Sequence, residues 1–398
     1  MTAHPSTRHS TLRRRDGHHA RVTSEELFFD LVYVLAVTQV SHELLHNLNP
    51  MGLVQALILW FAVWLGWQYT CWVTNWFDPE TPRIRGLLFA TMLLALVMAC
   101  SIPSAFEQHA LVFAASYAAM QVGRTAFIVW ELGRDHPLAA NYRRILGWLC
   151  IAAVFWMTGG LLEAEGRIAC WLVAIACEYI SPMFGFPFPR LGRSSTRDWT
   201  IEGGHLAERC QLFVIVALGE TLLASGASLA GVPHWDADVL LALVATFLGT
   251  LAMWWLYFGT SSKHASAVIT ASADPGGIGA RFHYIHAVLL AGVIGSAVGN
   301  DLMLAHPHAV LERAQVLTLV GGPSVYLLGS AAYKHVVYGC LPLSHLAGAL
   351  GLVALIPVGY AVNLLVMGWL TTAVLLIVGV WELRVRRQPV GGASHAQH

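Results

Sequence analysis

The stretch Glu26-Leu27-Phe28-Phe29-Asp30-Leu31-Val32-Tyr33-Val34-Leu35-Ala36-Val37-Thr38-Gln39 places one acid at its start and a second four residues on, among aliphatic and aromatic side chains. Its apolar run extends from roughly 26 to 46, about the twenty residues a helix needs to cross a bilayer. What surrounds it decides whether it is a lone core helix or one span of many. Further apolar runs follow at roughly 51 to 75, 86 to 103, 109 to 131, 144 to 162, 167 to 186, 206 to 230, 237 to 260, 281 to 302, 315 to 332, 344 to 362 and 364 to 383. Hydrocarbon offers backbone groups no hydrogen bonds, so each run is expected to be a helix. The fold expected is an all-α polytopic membrane protein with about 12 transmembrane helices.

Composition agrees. Of 398 residues, 56% are hydrophobic and 12% charged, against about 25% charged in soluble domains. A mean hydropathy of +0.59 over the whole length exceeds what one buried core accounts for. The seven cysteines are scattered through apolar runs without CxxC or His/Cys metal spacing, and read as small buried hydrophobes. Residues 1 to 24 are polar and arginine-rich, with no hydrophobic core or small-residue cleavage site after them. They read as a cytoplasmic tail and not a cleaved signal.

Sorting lysines and arginines into alternate loops sets the expected orientation. With the N-terminus inside, the inner segments collect Arg8, Arg13, Arg14, Arg15, Arg21, Arg83, Arg85, Arg134, Arg143, Arg144, Arg190, Arg193, Arg197, Lys263, Arg281, Lys334, Arg384, Arg386 and Arg387, out of 23 basic residues. The outer loops receive only Arg167 and Arg313, while Arg124 and Arg209 fall within spans. Both termini are therefore expected in the cytoplasm. The expected organisation is a tail at 1–24, a six-helix unit at 25–186, a cytoplasmic linker at 187–204, a second six-helix unit at 205–384 and a tail at 385–398. The two units read as a duplication. Segments one and seven both begin with glutamate, at Glu26 and Glu208, and run on through aliphatics. Trp64, Trp67 and Tyr69 find counterparts in Trp254, Trp255 and Tyr257, and segments three and nine open on Arg83 and Arg281. Six helices per unit makes the repeats parallel.

A charge deep in a span costs about 2.5–3.5 kcal/mol on insertion scales, so each one needs a reason. Asp30 shares a face with Glu26. It is a cation or proton site, or a packing lock, or else a shallow acid roughly 6 Å below the helix start that reaches interfacial water. Glu26 completes a capping box, Thr23-Ser24-Glu25-Glu26, with Val22 and Leu27 as staple, and a cap is favoured over a ligand. Glu220, about 18 Å along its helix from Glu208, is a proton-relay carboxyl or a neutral glutamate bonded to a neighbouring helix. Arg124 and Glu178 are expected to pair, since pairing offsets desolvation. Arg209 is expected to snorkel to headgroups. The tryptophans read as interface and packing residues, and Gly295/Gly299 as a helix contact. His42 and His205 lie at span ends with no tight ligand set, so no metal and no cofactor are expected. Walker A, GxSxG and nucleic-acid-binding patterns are missing from the sequence.

The string Glu26 to Val34, followed by Thr38-Gln39 and Ser41-His42, resembles the opening motif of the bacterial low temperature requirement protein A family. His205-Leu206-Ala207-Glu208-Arg209 with Leu218-Gly219-Glu220 resembles its second motif, and Trp255-Leu256-Tyr257-Phe258 its third. Two departures are Cys210, where the family usually has an aromatic, and Gly259, where an acid is common; any role of that acid is missing here. The resemblance covers residues 25 to about 383. It implies a multi-pass bacterial inner-membrane protein associated with growth in the cold, without a defined substrate, and it nominates Glu26, Asp30, His42, His205, Glu208, Arg209, Gly219 and Glu220.

The first functional expectation is a secondary transporter or ion pathway that uses membrane-embedded carboxylates. Its candidates are Asp30, Glu220, Glu208, Glu26, Arg124, Glu178, His42 and His205, and its partners are the lipid bilayer and a small solute or ion. The alternative is a membrane-embedded enzyme acting on lipid or lipid-linked substrates. It ranks second because the sequence holds no acyl- or phosphoryl-transfer motif.

Overall fold

The computed structural model describes residues 11–13, 15, 20–259, 268, 269 and 272–387. Arg8, Arg14 and Lys263, all used in the charge sorting, lie outside the described residues, as do residues 388 onward. Among those described, each apolar run falls on a helix: α1 (Ser24–His46), α2 (Pro50–Trp76), α3 (Pro82–Ser101), α4 (Ala110–Leu132), α5 (Ala139–Leu161), α6 (Ala164–Met183), α7 (Gly203–Ala230), α8 (Ala237–Trp254), α9 (Pro275–Ala305), α10 (Arg313–Tyr338), α11 (Leu343–Ala354) and α12 (Leu364–Arg387). There are no strands among them, only isolated bridges such as Leu12 with Phe77.

Ten of these helices are long and apolar enough to cross a membrane. The other two are α6 and α11. Glu165, Arg167 and Glu178 interrupt the twenty residues of α6. The run read as one span from 344 to 362 is broken: α11 stops at Ala354, and Ile356–Gly359 forms a separate short turn. Pro357 supplies the reason, having no N–H to continue the ladder. Conversely α9 is longer than its apolar run, so Arg281 sits inside the helix and not in a loop.

Local chemistry explains the ends. Asp236 caps α8 by accepting from the Asp238 and Val239 amides, and Glu312 with Gln315 forms a reciprocal capping box on α10. Gly339, at φ 72°, closes α10 in the left-handed region that only glycine enters freely. Beyond Trp254, α8 widens into a π turn at Trp255–Gly259.

The chain divides into two compact units. The first comprises residues 1–43, 50–213 and 266–280, and the second 44–49, 214–265 and 281–398. This division reflects packing density and is separate from the question of internal repetition. In the first unit α3, α4, α5 and α6 pack in sequence order, with α2 against α4 and α6. Trp60, Trp64, Trp67, Trp72 and Trp76 of α2 are all buried, so this tryptophan series belongs to the packed interior. In the second unit α8 packs on α12, and α11 on both α10 and α12. There α9 and α10 touch backbone to backbone: a Cβ at Gly292 would lie 2.3 Å from the Tyr326 nitrogen, and one at Gly322 would lie 2.4 Å from that of Ser296.

Candidate functional site

Three helices of the first unit each bring polar side chains at four-residue spacing to one place. They are Glu26 and Asp30 on α1, Trp67, Cys71 and Asn75 on α2, and His205 and Arg209 on α7. Four residues is just over one turn, so each set forms a single stripe.

The outer half of the site centres on Glu26. Its capping box is present, since the Thr23 amide donates to Glu26 Oε2 at 3.0 Å and the Glu26 amide to Thr23 Oγ1 at 3.4 Å. The same carboxylate also binds His205 Nε2 at 2.8 Å and Arg13 Nη2 at 2.8 Å, so it is cap and ion-pair partner together. Asn75 fixes the imidazole. Its Oδ1 receives the Glu202 amide at 2.9 Å, which orients its Nδ2 toward His205 Nδ1 at 3.2 Å. Nδ1 is then the acceptor, leaving Nε2 as the N–H that donates to Glu26. Arg13 arrives from the segment before α1: its amide donates to the Trp76 carbonyl at 2.9 Å and its Nε to Thr74 O at 2.6 Å.

One turn deeper, Arg209 Nη2 and Trp67 Nε1 both donate to Asp30 Oδ1, each at 2.7 Å. The guanidinium lies 5.7 Å from the Trp67 ring centroid, within cation–π range. Asp30 is 1% exposed and Arg209 0%. The reading of Arg209 as a snorkelling residue is therefore corrected: it stands inside the unit as the counter-charge of Asp30. That pair is half satisfied. Asp30 Oδ2, Arg209 Nε and Arg209 Nη1 are buried and have no hydrogen-bond partner among the described residues. Glu26, by contrast, has donors on both oxygens.

A second polar chain in the first unit runs between α4 and α6. Tyr117 and Trp156 donate to Glu178, the latter at 3.2 Å, and Gln121 Nε2 donates to the Tyr117 hydroxyl at 3.1 Å. Arg124 donates to Gln121 Oε1, to Thr70 Oγ1 at 2.9 Å and to Gly66 O at 3.2 Å. The expected Arg124–Glu178 ion pair is corrected accordingly. Both are buried, but Tyr117 and Gln121 stand between them and relay the contact.

The remaining nominated residues lie elsewhere. Glu208 is partly exposed, about 100° round the helix from Arg209. His42 is exposed near the end of α1. Glu220 is buried in the second unit, next to Thr221, whose hydroxyl meets that of Thr250 at 3.2 Å. No group of three or more His, Cys, Asp or Glu among the described residues is arranged to hold a metal ion.

Residues 21–380 match the family described as bacterial low temperature requirement A protein (LtrA). The chain belongs to the LtrA family. An uncharacterized protein of Rhizobium meliloti (strain 1021) is 37% identical over 382 residues, covering 93% of this chain and 91% of that protein. No solved structure matches the chain. Family membership and the apolar helices make this LtrA protein a multi-pass membrane protein. Both family motifs in its charged site, around Glu26–Asp30 and His205–Arg209, supply residues to the same cluster. Sequence reasoning missed Arg13, Trp67 and Asn75 as members. Arg13 sits in a polar tail without local signal, and Trp67 and Asn75 were hidden among the apolar and aromatic residues of α2.

Proposed function

We propose that this LtrA protein is a secondary transporter or ion pathway, with the Asp30–Arg209 pair as the group that changes state. The observation that carries the reading is the buried, half-satisfied pair. A purely structural ion pair in a low-dielectric interior is stable when its remaining lone pairs and protons are also bonded. An acid and a guanidinium that keep bonding capacity in reserve suit a site that a proton, water or ion enters and leaves. Glu220 serves as a second membrane-embedded carboxyl. The proposal includes twelve spans with both termini in the cytoplasm of a bacterial inner membrane, and a six-plus-six parallel duplication; the charge sorting and the paired motifs support these. Purified protein in liposomes is expected to show flux coupled to a proton or cation gradient, weakened by Asp30→Asn and Glu220→Gln. Flux equal to that of empty liposomes across a broad panel of ions and solutes would remove the reading.

One observation favours the second reading, an enzyme acting on lipid. In the second unit Ser330 Oγ lies 3.1 Å from His345 Nε2, and His345 Nδ1 lies 3.1 Å from Ser344 Oγ and 3.5 Å from Glu382 Oε1, a hydroxyl–imidazole–acid chain in which Ser344 stands between base and acid. Lys334 at 2.8 Å and Ser344 also bind Glu382, which neutralises the acid and ranks this reading second. It requires a changed lipid profile in a deletion strain grown cold, restored by wild type but not by Ser330→Ala. An unchanged lipid profile discards it.

A further inference from the structure

The second unit holds a part-open cavity of about 20 Å³, room for one water-sized body. Its polar wall is made by Ser296 and Asn300 of α9, Leu319 beside Pro323 of α10, and Thr371 and Thr372 of α12. The direction of the hydroxyl protons decides what suits this space. Ser296 Oγ donates to Gly292 O at 2.8 Å, Thr371 Oγ1 to Gly368 O at 2.9 Å and Thr372 Oγ1 to Ala245 O at 3.2 Å. A hydroxyl has one proton and two lone pairs. With all three protons committed to helix carbonyls, these side chains have only acceptor capacity left for the cavity. Pro323, four residues after Leu319, has no N–H to return to the Leu319 carbonyl, so that carbonyl lacks its ordinary helix donor. The Asn300 side chain, one turn beyond Ser296, brings an amide, with a carbonyl oxygen and an NH2 group, to the same lining.

We infer that this cavity is a binding site for one dehydrated alkali-metal cation of the sodium class. Neutral oxygen acceptors are the ligands that hard cations select. An anion would find no charged donor in the wall, and a divalent ion would find no carboxylate to balance its second charge. The inference deepens the ion-pathway reading by giving it a coupling ion beside the proton, and rests on that reading for its purpose alone.

The test is equilibrium binding of radioactive sodium to the purified full chain in detergent, with thermal stability compared in NaCl and choline chloride at equal ionic strength. Wild type is expected to bind one sodium per chain and to melt higher in NaCl. Thr372→Val, which removes one acceptor at constant shape, should weaken binding about tenfold. Gly249→Ala should weaken it as well, because its added carbon would stand 3.2 Å from Thr372 Oγ1 and narrow the space. Thr318→Val, which loses an equally back-bonded hydroxyl, 2.8 Å from Ala314 O, outside the cavity, should bind like wild type. A wild type that binds no sodium overturns the site, as does undiminished binding in both folded cavity variants. Sodium binding without flux in liposomes would overturn the ion-pathway reading and leave the site standing. Flux that ignores sodium, with no binding, would do the reverse.

Discussion

At the scale of single residues, the pair Asp30–Arg209 carries the largest energetic stake. Removing one partner of a buried ion pair leaves the other charge uncompensated and costs about 3–5 kcal/mol. Arg209→Ala is therefore expected to melt far below wild type in detergent. Combining Asp30→Asn with Arg209→Gln, which removes both charges, should recover part of that loss. If the double variant is as unstable as the sum of the singles, the two residues are not coupled. How legible these residues were in the sequence follows from what each signal measures. Asp30 and Glu26 stood out because acids at helical spacing in an apolar run are costly wherever the helix lies. Arg209 was misread because a basic residue near a helix start looks the same whether it faces headgroups or a buried acid. Only the orientation of α7 toward α1 and α2 distinguishes them. Arg13 had no signal, since it reaches Glu26 through a backbone bridge to the end of α2.

At the scale of elements, the contact between α9 and α10 sets a sharp expectation. A Cβ on Gly322 would stand 2.4 Å from the Ser296 backbone nitrogen, whereas one on Gly321 meets nothing within 4 Å. Gly322→Ala must push two helices apart and should lower the yield of monodisperse protein in size-exclusion chromatography. Gly321→Ala should be neutral or gain up to about 1 kcal/mol from helix propensity. Equal behaviour of the two variants would contradict the close approach. Here the GxxxG at Gly295 and Gly299 pointed to a helix contact, and a Cβ added at Gly295 would indeed lie 3.0 Å from Gly322 Cα. The partner helix was not legible, because a small-residue pattern marks a surface and not what meets it. The break after α11 was within reach, since Pro357 stands in the run that apolarity alone read as continuous.

At the scale of the whole molecule, hydropathy sufficed for the helical class because lipid leaves the backbone no other solution. Crossing α6 is the harder case, with three charges in twenty residues. Twelve spans place both tails on one face of the membrane. Single cysteines placed in the 1–24 and 385–398 tails should react with an impermeant label only when the cytoplasmic face is open, and labelling of the two tails from opposite faces would disprove an even number of spans. The central claim, that the Asp30–Arg209 pair is a working group in an ion pathway, is most directly tested by proton flux. In proteoliposomes carrying an internal pH dye, an imposed membrane potential should drive acidification with wild type, and folded Asp30→Asn should abolish it while Glu25→Gln, a part-exposed neighbour, should not. Equal acidification by wild type and Asp30→Asn would contradict the claim.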